Sequence, residues 1–421
     1  MKVTVDHIGG RGDGVAGREG QEIYVPYAAP GDVLDVTLTG KQAGIKKILT
    51  PSSLRVPPVC RHFTRCGGCA LQHVQSSAYA RWKQDQLRLA LSRRGFGEVE
   101  IAAPEISPKA SRRRARLQAV GRGAGKAVLG FAERGSHHLV DLEECPVMVA
   151  EIVALVPPLR AFLGRILEKR QKMAVEVTRA ENGLDLVFET AGDPSLELRM
   201  EIAAFAEAQD IARISWKDTT LKQGGYELLL ERRRPYALFG SGAVERRRVL
   251  IPPGSFLQAT REGEQALVRI MMQVLPESGK LVDIFAGAGT FTVPALERLA
   301  VHAVEGSADM VEALSRSIHL QPPGREFSAE QRDLFLRPLL RHELKEYDVA
   351  VIDPPRAGAR EQVMELAASD IPVIVMISCN PGTFARDART LVNAGYRMGA
   401  VTPVDQFLYS PHLEVVAVFS K

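Results

Sequence analysis

LVDIFAGAGTFTVPAL, residues 281–296, decides the fold. A short apolar strand ends near Asp283, and Gly287 and Gly289 make a tight turn before a helix. Glycines there let the backbone approach a ligand closely. Taken alone, a G-x-G turn admits any nucleotide fold, or a plain structural turn. The following strand narrows the choice, because Glu305 ends it in VHAVEG, about twenty residues on, where an acid binds both hydroxyls of a ribose. No GKS or GKT is present, so a phosphate-cradling loop is not supported. A ligand with a ribose but no required pyrophosphate site, such as S-adenosylmethionine, fits better than NAD.

Outward from this stretch, residues 256–421 alternate strands with helices. KLVDIF, VHAVEG, YDVAVIDPP, IPVIVMISC and EVVAVFS are the apolar runs; MVEALSRSI and REQVMELAAS have helical spacing. Such alternation predicts a mostly parallel sheet with helices on both faces and a ligand crevice at its strand ends. Asp353, in AVIDPPRAGAR, ends one strand, and Pro354 and Pro355 stiffen the exit. Cys379, in VIVMISCNPGTFARD, ends another. A lone strand cysteine is ordinarily inert core, but a thiol at a strand end is a nucleophile once a neighbour lowers its pKa. The two are predicted to project from neighbouring strand ends into one crevice. Glu414, in SPHLEVVAVF, begins the last strand just after His412 and is placed to take a proton there. On spacing alone, a surface carboxylate is the commoner reading.

The chain has five cysteines. Cys60, Cys66 and Cys69 sit together in CRHFTRCGGC, and Cys145 stands before Pro146. Four thiolates complete a metal or iron–sulfur site, which leaves Cys379 free to be a nucleophile. Structural zinc commonly shows two close cysteine pairs. Three bunched cysteines with a remote Cys-Pro favour an iron–sulfur cubane, although spacing leaves zinc open.

A length of 421 residues predicts two or three domains, and 45% hydrophobic with 25% charged residues suits a soluble globular protein. MKVTVDHIGG has no apolar core of a secretory signal, and no apolar run reaches membrane-span length. A cytoplasmic protein without a membrane partner is expected, and cysteines there bind metal or catalyse rather than pair. Residues 1–52 read as short strands broken by GGRGDGVAG and APGD, a small five-stranded barrel of the oligonucleotide-binding kind or a generic β domain. A proline-bearing linker over 51–58 precedes the cysteines. A helix is predicted from Ser77 to Arg94, with Leu87 and Leu91 on one face and basic residues on the other. Residues 53–250 form the predicted central α/β domain and 251–421 the Rossmann-like domain. Residues 81–126 carry twelve Lys/Arg against four Asp/Glu, including SRRRARLQ; ERRRPY (231–236) and ERRR (245–248) follow. Basic runs are commonly plain solvated faces. Three of them on a chain of net charge +4 point to a phosphate-backbone contact surface.

At these residues the chain resembles the RNA uracil-5 methyltransferases, and among them the bacterial 23S ribosomal RNA enzymes with a TRAM domain and a [4Fe–4S] cluster. The resemblance spans nearly the whole chain. GDGVAG and VPYAAPGD look like the TRAM barrel, and CRHFTRCGGCALQH and LVDLEECPV like the cluster-binding segments. DIFAGAGTFT, VEG, DPPRAG, SCNPGTFARD and HLE follow the family's order. The resemblance implies a multi-domain enzyme that binds S-adenosylmethionine through Gln258, Phe285, Gly287, Gly289, Glu305, Asp333 and Asp353. It implies Cys379 as nucleophile on uracil C6, Glu414 as general base at C5, and Cys60, Cys66, Cys69 and Cys145 as cluster ligands. The segment after Glu305, GSADMVEALSRSIHLQPPGRE, lacks the asparagines common there in the family, which weakens the adenine-side role of Asp333. RNA, not DNA, is the implied partner, 23S ribosomal RNA ahead of transfer RNA, and a monomer is expected. The reading from a different class is a non-catalytic iron–sulfur RNA-binding factor; a cytosine-C5 methyltransferase also uses a cysteine.

Overall fold

Eight strands form the sheet that carries the crevice. Phe327–Gln331, Ala300–Glu305, Lys280–Ile284, Val349–Ile352 and Val373–Ser378 lie side by side in that order and run parallel. Glu414–Ser420 then pairs antiparallel with Val373–Ser378, and Arg397–Asp405 antiparallel with Glu414–Ser420. VAVI at 349–352 is apolar throughout because helices cover both faces of the sheet, and all four residues are buried. The strand order reverses between Lys280–Ile284 and Val349–Ile352, where a parallel α/β sheet opens its ligand crevice. This computed structural model describes residues 1–18, 20–221, 225–242, 246–321 and 324–421. Glu245, which opens the ERRR run, and Pro322 and Pro323, in the segment after Glu305, lie outside the described residues.

The amphipathic stretches form the helices Ala308–Leu320 and Arg360–Ala367. The turn after Phe285 leads only into a single helical turn, Thr292–Ala295, with Pro294 inside it. The predicted basic helix forms as Ser76–Ser92, and it packs on this sheet. Leu87 and Leu91 share a core with Ile352 and Met376. Glu105–Ile106 then adds the eighth strand, parallel to Arg397–Asp405.

A seven-stranded sheet built from strands between Arg114 and Glu231 forms the central unit, with the helix Ala150–Ile166 packed over it. Residues 2–50 make a six-stranded sheet over a small core that includes Val25, Leu34 and Val36. It has six strands where five were expected; the second half of GGRGDGVAG, read as turns, forms most of the strand Gly14–Arg18. Among the described residues no helix is long and apolar enough to cross a membrane.

The basic runs correct a sequence expectation. Lys83 lies on the inner face of its helix, fully buried, and donates to Asp405 Oδ1 at 3.1 Å. Arg113 is buried against Glu264, Arg114 donates to the Leu257 carbonyl, and Arg116 pairs with Glu176 and Glu189. Arg232 and Arg233 both pair with Asp210, and Arg234 with Glu231. Lys83, Arg113, Arg116 and Arg232–Arg234 are thus neutralised within the protein rather than left free. Guanidinium groups present several fixed donors, so they bind carbonyls and carboxylates between packed units.

Candidate active site and cysteine pocket

The crevice is built from strand ends. Asp353 follows the strand Val349–Ile352, and Cys379 follows its neighbour Val373–Ser378, as predicted. Asn380 then caps the helix Pro381–Asn393: its Oδ1 accepts from the Gly382 N–H at 2.9 Å, with Pro381 in the first helical turn. This cap fixes the chain direction immediately after the thiol. On the other side, Ser378 pairs with Val415 in an antiparallel ladder. The next residues outward are Cys379 and Glu414, which stand opposite each other at the sheet end, close enough for the Glu414 charge to act on the Cys379 thiol. Glu414 is buried rather than on the surface.

Charge follows from this crowding. Burial, then the neighbouring Asp353, push the Glu414 carboxyl well above the usual carboxylate range. Burial and the charge of Asp283 raise Asp353, while its hydrogen bond from Gln258 opposes the shift. Two such carboxyls in one low-dielectric site resist ionising together. Burial, then Glu414 and Asp353, push the Cys379 thiol up to about 11, and Arg356 pulls it back down.

Gln258 is held from both ends. Its Nε2 donates to Asp353 Oδ2 at 3.0 Å, and its Oε1 accepts from Gln406 Nε2 at 2.8 Å. Gln406 carried no sequence signal; VDQFLYS reads as an ordinary strand end. Glu305 accepts from the Gly287 N–H at 3.0 Å and the Ser307 N–H at 2.9 Å. Phe285 holds a positive φ of 66°, a strained conformation for a side-chain-bearing residue, and its ring lies 5.4 Å from that of Phe335. The two glycines differ. A Cβ on Gly289 would collide with Leu314 Cδ1 at 2.5 Å, whereas a Cβ on Gly287 would meet nothing within 4 Å. Gly289 serves packing, and Gly287 borders open space. Asp333 is exposed and uses Oδ1 on its own turn, accepting from Phe335 N–H at 3.0 Å. Asp283 was read only as a strand end. It is fully buried, its Oδ2 accepts from the Thr292 hydroxyl at 2.6 Å, and its Oδ1 has no partner. Burial pushes it up to about 7, against the Thr292 hydrogen bonds.

Cys60, Cys66, Cys69 and Cys145 line one cavity of about 520 Å³. Their two segments are stitched together by His62 Nε2, which accepts from the Glu143 N–H at 3.0 Å, and by Glu144 Oε1, which accepts from the Arg61 N–H at 2.6 Å. Gly67 lies so close to the central sheet that a Cβ would meet the Ala132 carbonyl at 2.9 Å. None of the five cysteines is disulfide-bonded. Burial raises all four pocket thiols, Cys69 to about 12. Among the described residues, no three His, Cys, Asp or Glu side chains form a group that could hold a single metal ion. Arg112 lies beside Cys145 and Cys69, and its guanidinium covers the Phe407 ring at 5.4 Å. Phe407 meets His412 edge-on at 5.7 Å. His412, Arg356 and Cys379 reach the rim of the same cavity, so the cysteine pocket and the crevice share a wall.

The strand order, the glycine turn and the crevice define a methyltransferase-type α/β domain. The sequence profile of the tRNA (Uracil-5-)-methyltransferase family matches residues 248–421. A protein of Caulobacter vibrioides described as an uncharacterized RNA methyltransferase is 41% identical over 100% of this chain and 99% of its own length. A 23S rRNA (uracil(1939)-C(5))-methyltransferase of Halomonas elongata is 32% identical, covering 94% of this chain and 84% of that protein. The structure of Pyrococcus abyssi tRNA (uracil-54, C5)-methyltransferase with S-adenosyl-L-homocysteine shares the fold, with a TM-score of 0.75 over 100% of both chains at 24% identity. The chain belongs to the RNA uracil-5 methyltransferase family and is an RNA methyltransferase.

Proposed function

We propose that this enzyme forms 5-methyluridine in 23S ribosomal RNA, with Cys379 as nucleophile, Glu414 as base and S-adenosylmethionine as methyl donor. The observation that carries the reading is Cys379 standing opposite the buried Glu414 at the sheet end. The crevice suits the donor: Asp283 offers a buried acceptor without a partner, Gly287 borders open space, and Glu305 stands at the strand end for a ribose. Gln258 and Asp353 line the methionine side, and Phe285 and Asp333 the adenine side.

S-adenosylmethionine supplies an electrophilic methyl group, which uracil C5 is too weak a nucleophile to take unaided. Cys379 changes that. Its thiol gives up its proton to solvent, the thiolate sulfur bonds to C6, and the electron pair of the C5–C6 double bond moves onto C5 and O4, so C5 can accept the methyl as S-adenosylhomocysteine leaves. Glu414 then takes the C5 proton, the C6–S bond breaks, and the double bond reforms as the thiolate leaves. A carboxyl held well above its usual range is a stronger base once ionised. The target base has to be unstacked to enter the crevice, which favours a loop of RNA.

Cys60, Cys66, Cys69 and Cys145 hold a structural [4Fe–4S] cluster in this reading. One zinc ion would draw four sulfurs to within about 4 Å of each other, given Zn–S bonds of about 2.3 Å. Four thiols spread around one cavity suit the larger cubane better. An anaerobic preparation that holds zinc but no iron or sulfide would refute this part. The six-stranded sheet of residues 2–50 serves as the TRAM-like RNA-binding unit, the chain divides near 52 and 250 except that Ser76–Ser92 and Glu105–Ile106 pack with the C-terminal sheet, and the enzyme works in the cytoplasm.

Ribosomal RNA is favoured by the 32% identical relative and by the cysteine pocket, which the family's bacterial transfer-RNA enzymes usually lack. The family profile gives the transfer-RNA reading its support. Mapping 5-methyluridine in RNA from a strain lacking the protein decides. Loss from 23S ribosomal RNA is expected; loss from transfer RNA alone establishes the second reading.

A further inference from the structure

A groove of about 960 Å³ leads away from Cys379. One wall is the helix Ser76–Ser92, and the far end is His7–Gly10, the strand His7–Ile8 and the residues after it in the N-terminal sheet. Arg81, on the helix, and Arg93 and Arg94, just past its C-terminal end, line it, all exposed. Among the described residues, none of the three guanidiniums has a hydrogen-bonded or ion-paired partner, unlike those of Arg113, Arg116, Arg232 and Arg233. The acidic residues in the groove are Asp6 and Asp85, and both are occupied: Asp6 accepts from the Gly17 N–H, and Asp85 pairs with Arg88. Gln86 also lines the groove, and its Nε2 is a buried donor without a partner.

Three free cations and an unused amide donor in one groove match a chain of phosphates with polar base edges. A helix of this length spans about 25 Å, which accommodates about four nucleotides of extended strand. Its mouth is the nucleophile itself. We propose that the helix Ser76–Ser92 and its C-terminal end form the track for the single strand flanking the target uridine: Arg93 and Arg94 contact phosphates at the C-terminal end of the helix, Arg81 contacts a phosphate about three nucleotides further along, and Gln86 donates to a base or ribose oxygen. This rests on the uracil-5 reading and adds to it where the flanking strand runs and which side chains hold it. The specificity of the enzyme for its loop then resides partly in this helix, outside the cofactor crevice.

The test uses the full-length protein and an RNA stem-loop with 5-fluorouridine at the target position. Wild type first has to form the covalent adduct; its failure to do so overturns the uracil-5 reading and the track with it. Given the adduct, the salt dependence of RNA binding is compared with that of the triple variant Arg81→Gln, Arg93→Gln, Arg94→Gln. Each phosphate contact on a single strand contributes about 0.7 to the slope of log K against log salt, so the variant is expected to lose about 2. Its KM for RNA rises, while S-adenosylmethionine affinity and the thermal midpoint hold. Gln86→Leu raises KM without changing the slope. Photo-crosslinks from 4-thiouridine placed two or three nucleotides from the target are expected within residues 78–94. An unchanged salt slope in the triple variant, or crosslinks confined to the central sheet, overturns the track while leaving the uracil-5 reading intact.

Discussion

Cys379 and Glu414 stand opposite each other one residue beyond the Ser378–Val415 pair, at the open end of two antiparallel strands. Their approach is set by backbone register rather than by flexible side chains. Such a pair is held in place by the whole sheet, as a nucleophile and its base require. The strand Glu414–Ser420 is what brings them together, because it inserts antiparallel beside Val373–Ser378.

Glu414→Gln keeps the size and the hydrogen-bonding reach of the side chain but cannot take a proton. Addition and methyl transfer proceed, and release stalls, so a methylated RNA–enzyme adduct accumulates. Turnover is expected to fall by about 10²- to 10⁴-fold, the range for losing a general base. Mass spectrometry of the trapped protein reads the adduct, and release at the normal rate would count against the role.

The resting thiol of Cys379 is predominantly protonated at neutral pH, because burial and two carboxyls push it up to about 11. Its alkylation by iodoacetamide, followed peptide by peptide, is expected to be slow at pH 7 and to climb as pH rises toward 11. Arg356→Gln removes a nearby charge that lowers it, and alkylation at pH 8 slows further. Equal rates in the two proteins contradict the electrostatic account of this crevice.

Asp283 makes stability depend on pH. Its folded-state pKa, about 7, lies above the ordinary 3.8. The stability it permits is therefore fully present below about 4 and is lost as pH rises through about 7. The shift corresponds to about 4 kcal/mol at most. Asp283→Asn keeps an acceptor for the Thr292 hydroxyl and never ionises. Without cofactor, its melting temperature is expected to match wild type near pH 4 and to exceed it increasingly up to pH 7. A constant difference across that range contradicts the shift.

Lys83 ties the helix Ser76–Ser92 to the last strands through Asp405 and the carbonyl of Ser410. Lys83→Met leaves Asp405 buried without its cation. Breaking a buried pair in this way costs about 3–5 kcal/mol, and chemical denaturation of the variant measures it. A loss below 1 kcal/mol shows that the hydroxyl of Tyr79, which donates to Asp405 at 2.5 Å, suffices alone.

Strand–helix alternation from Lys280 onward was legible because the central strands Lys280–Ile284, Val349–Ile352 and Val373–Ser378 are buried and read as apolar runs, whereas the edge strand Phe327–Gln331 is polar and left no such mark. The crevice residues were legible for a related reason: Asp353, Cys379 and Glu414 each sit where an apolar run stops. Other features depend on contacts distant in sequence. Lys83 looks like a member of a basic face, and only its meeting with Asp405 draws it inside. Arg113 looks like part of an RNA-binding run, and Glu264 neutralises it from a distant helix. Gln406 and the unpartnered oxygen of Asp283 left no sequence mark, since their roles depend on which neighbours the fold supplies or withholds.

The central claim is that Cys379 attacks the pyrimidine ring, and its most direct measurement uses RNA carrying 5-fluorouridine, from which no C5 proton can be removed. Wild-type protein with S-adenosylmethionine is predicted to form a covalent, methylated complex that survives denaturation, with the RNA attached to the peptide containing Cys379. Cys379→Ala is predicted to form none and to lose methyl transfer. A covalent complex that persists in Cys379→Ala, or one mapped to another cysteine, would contradict the account.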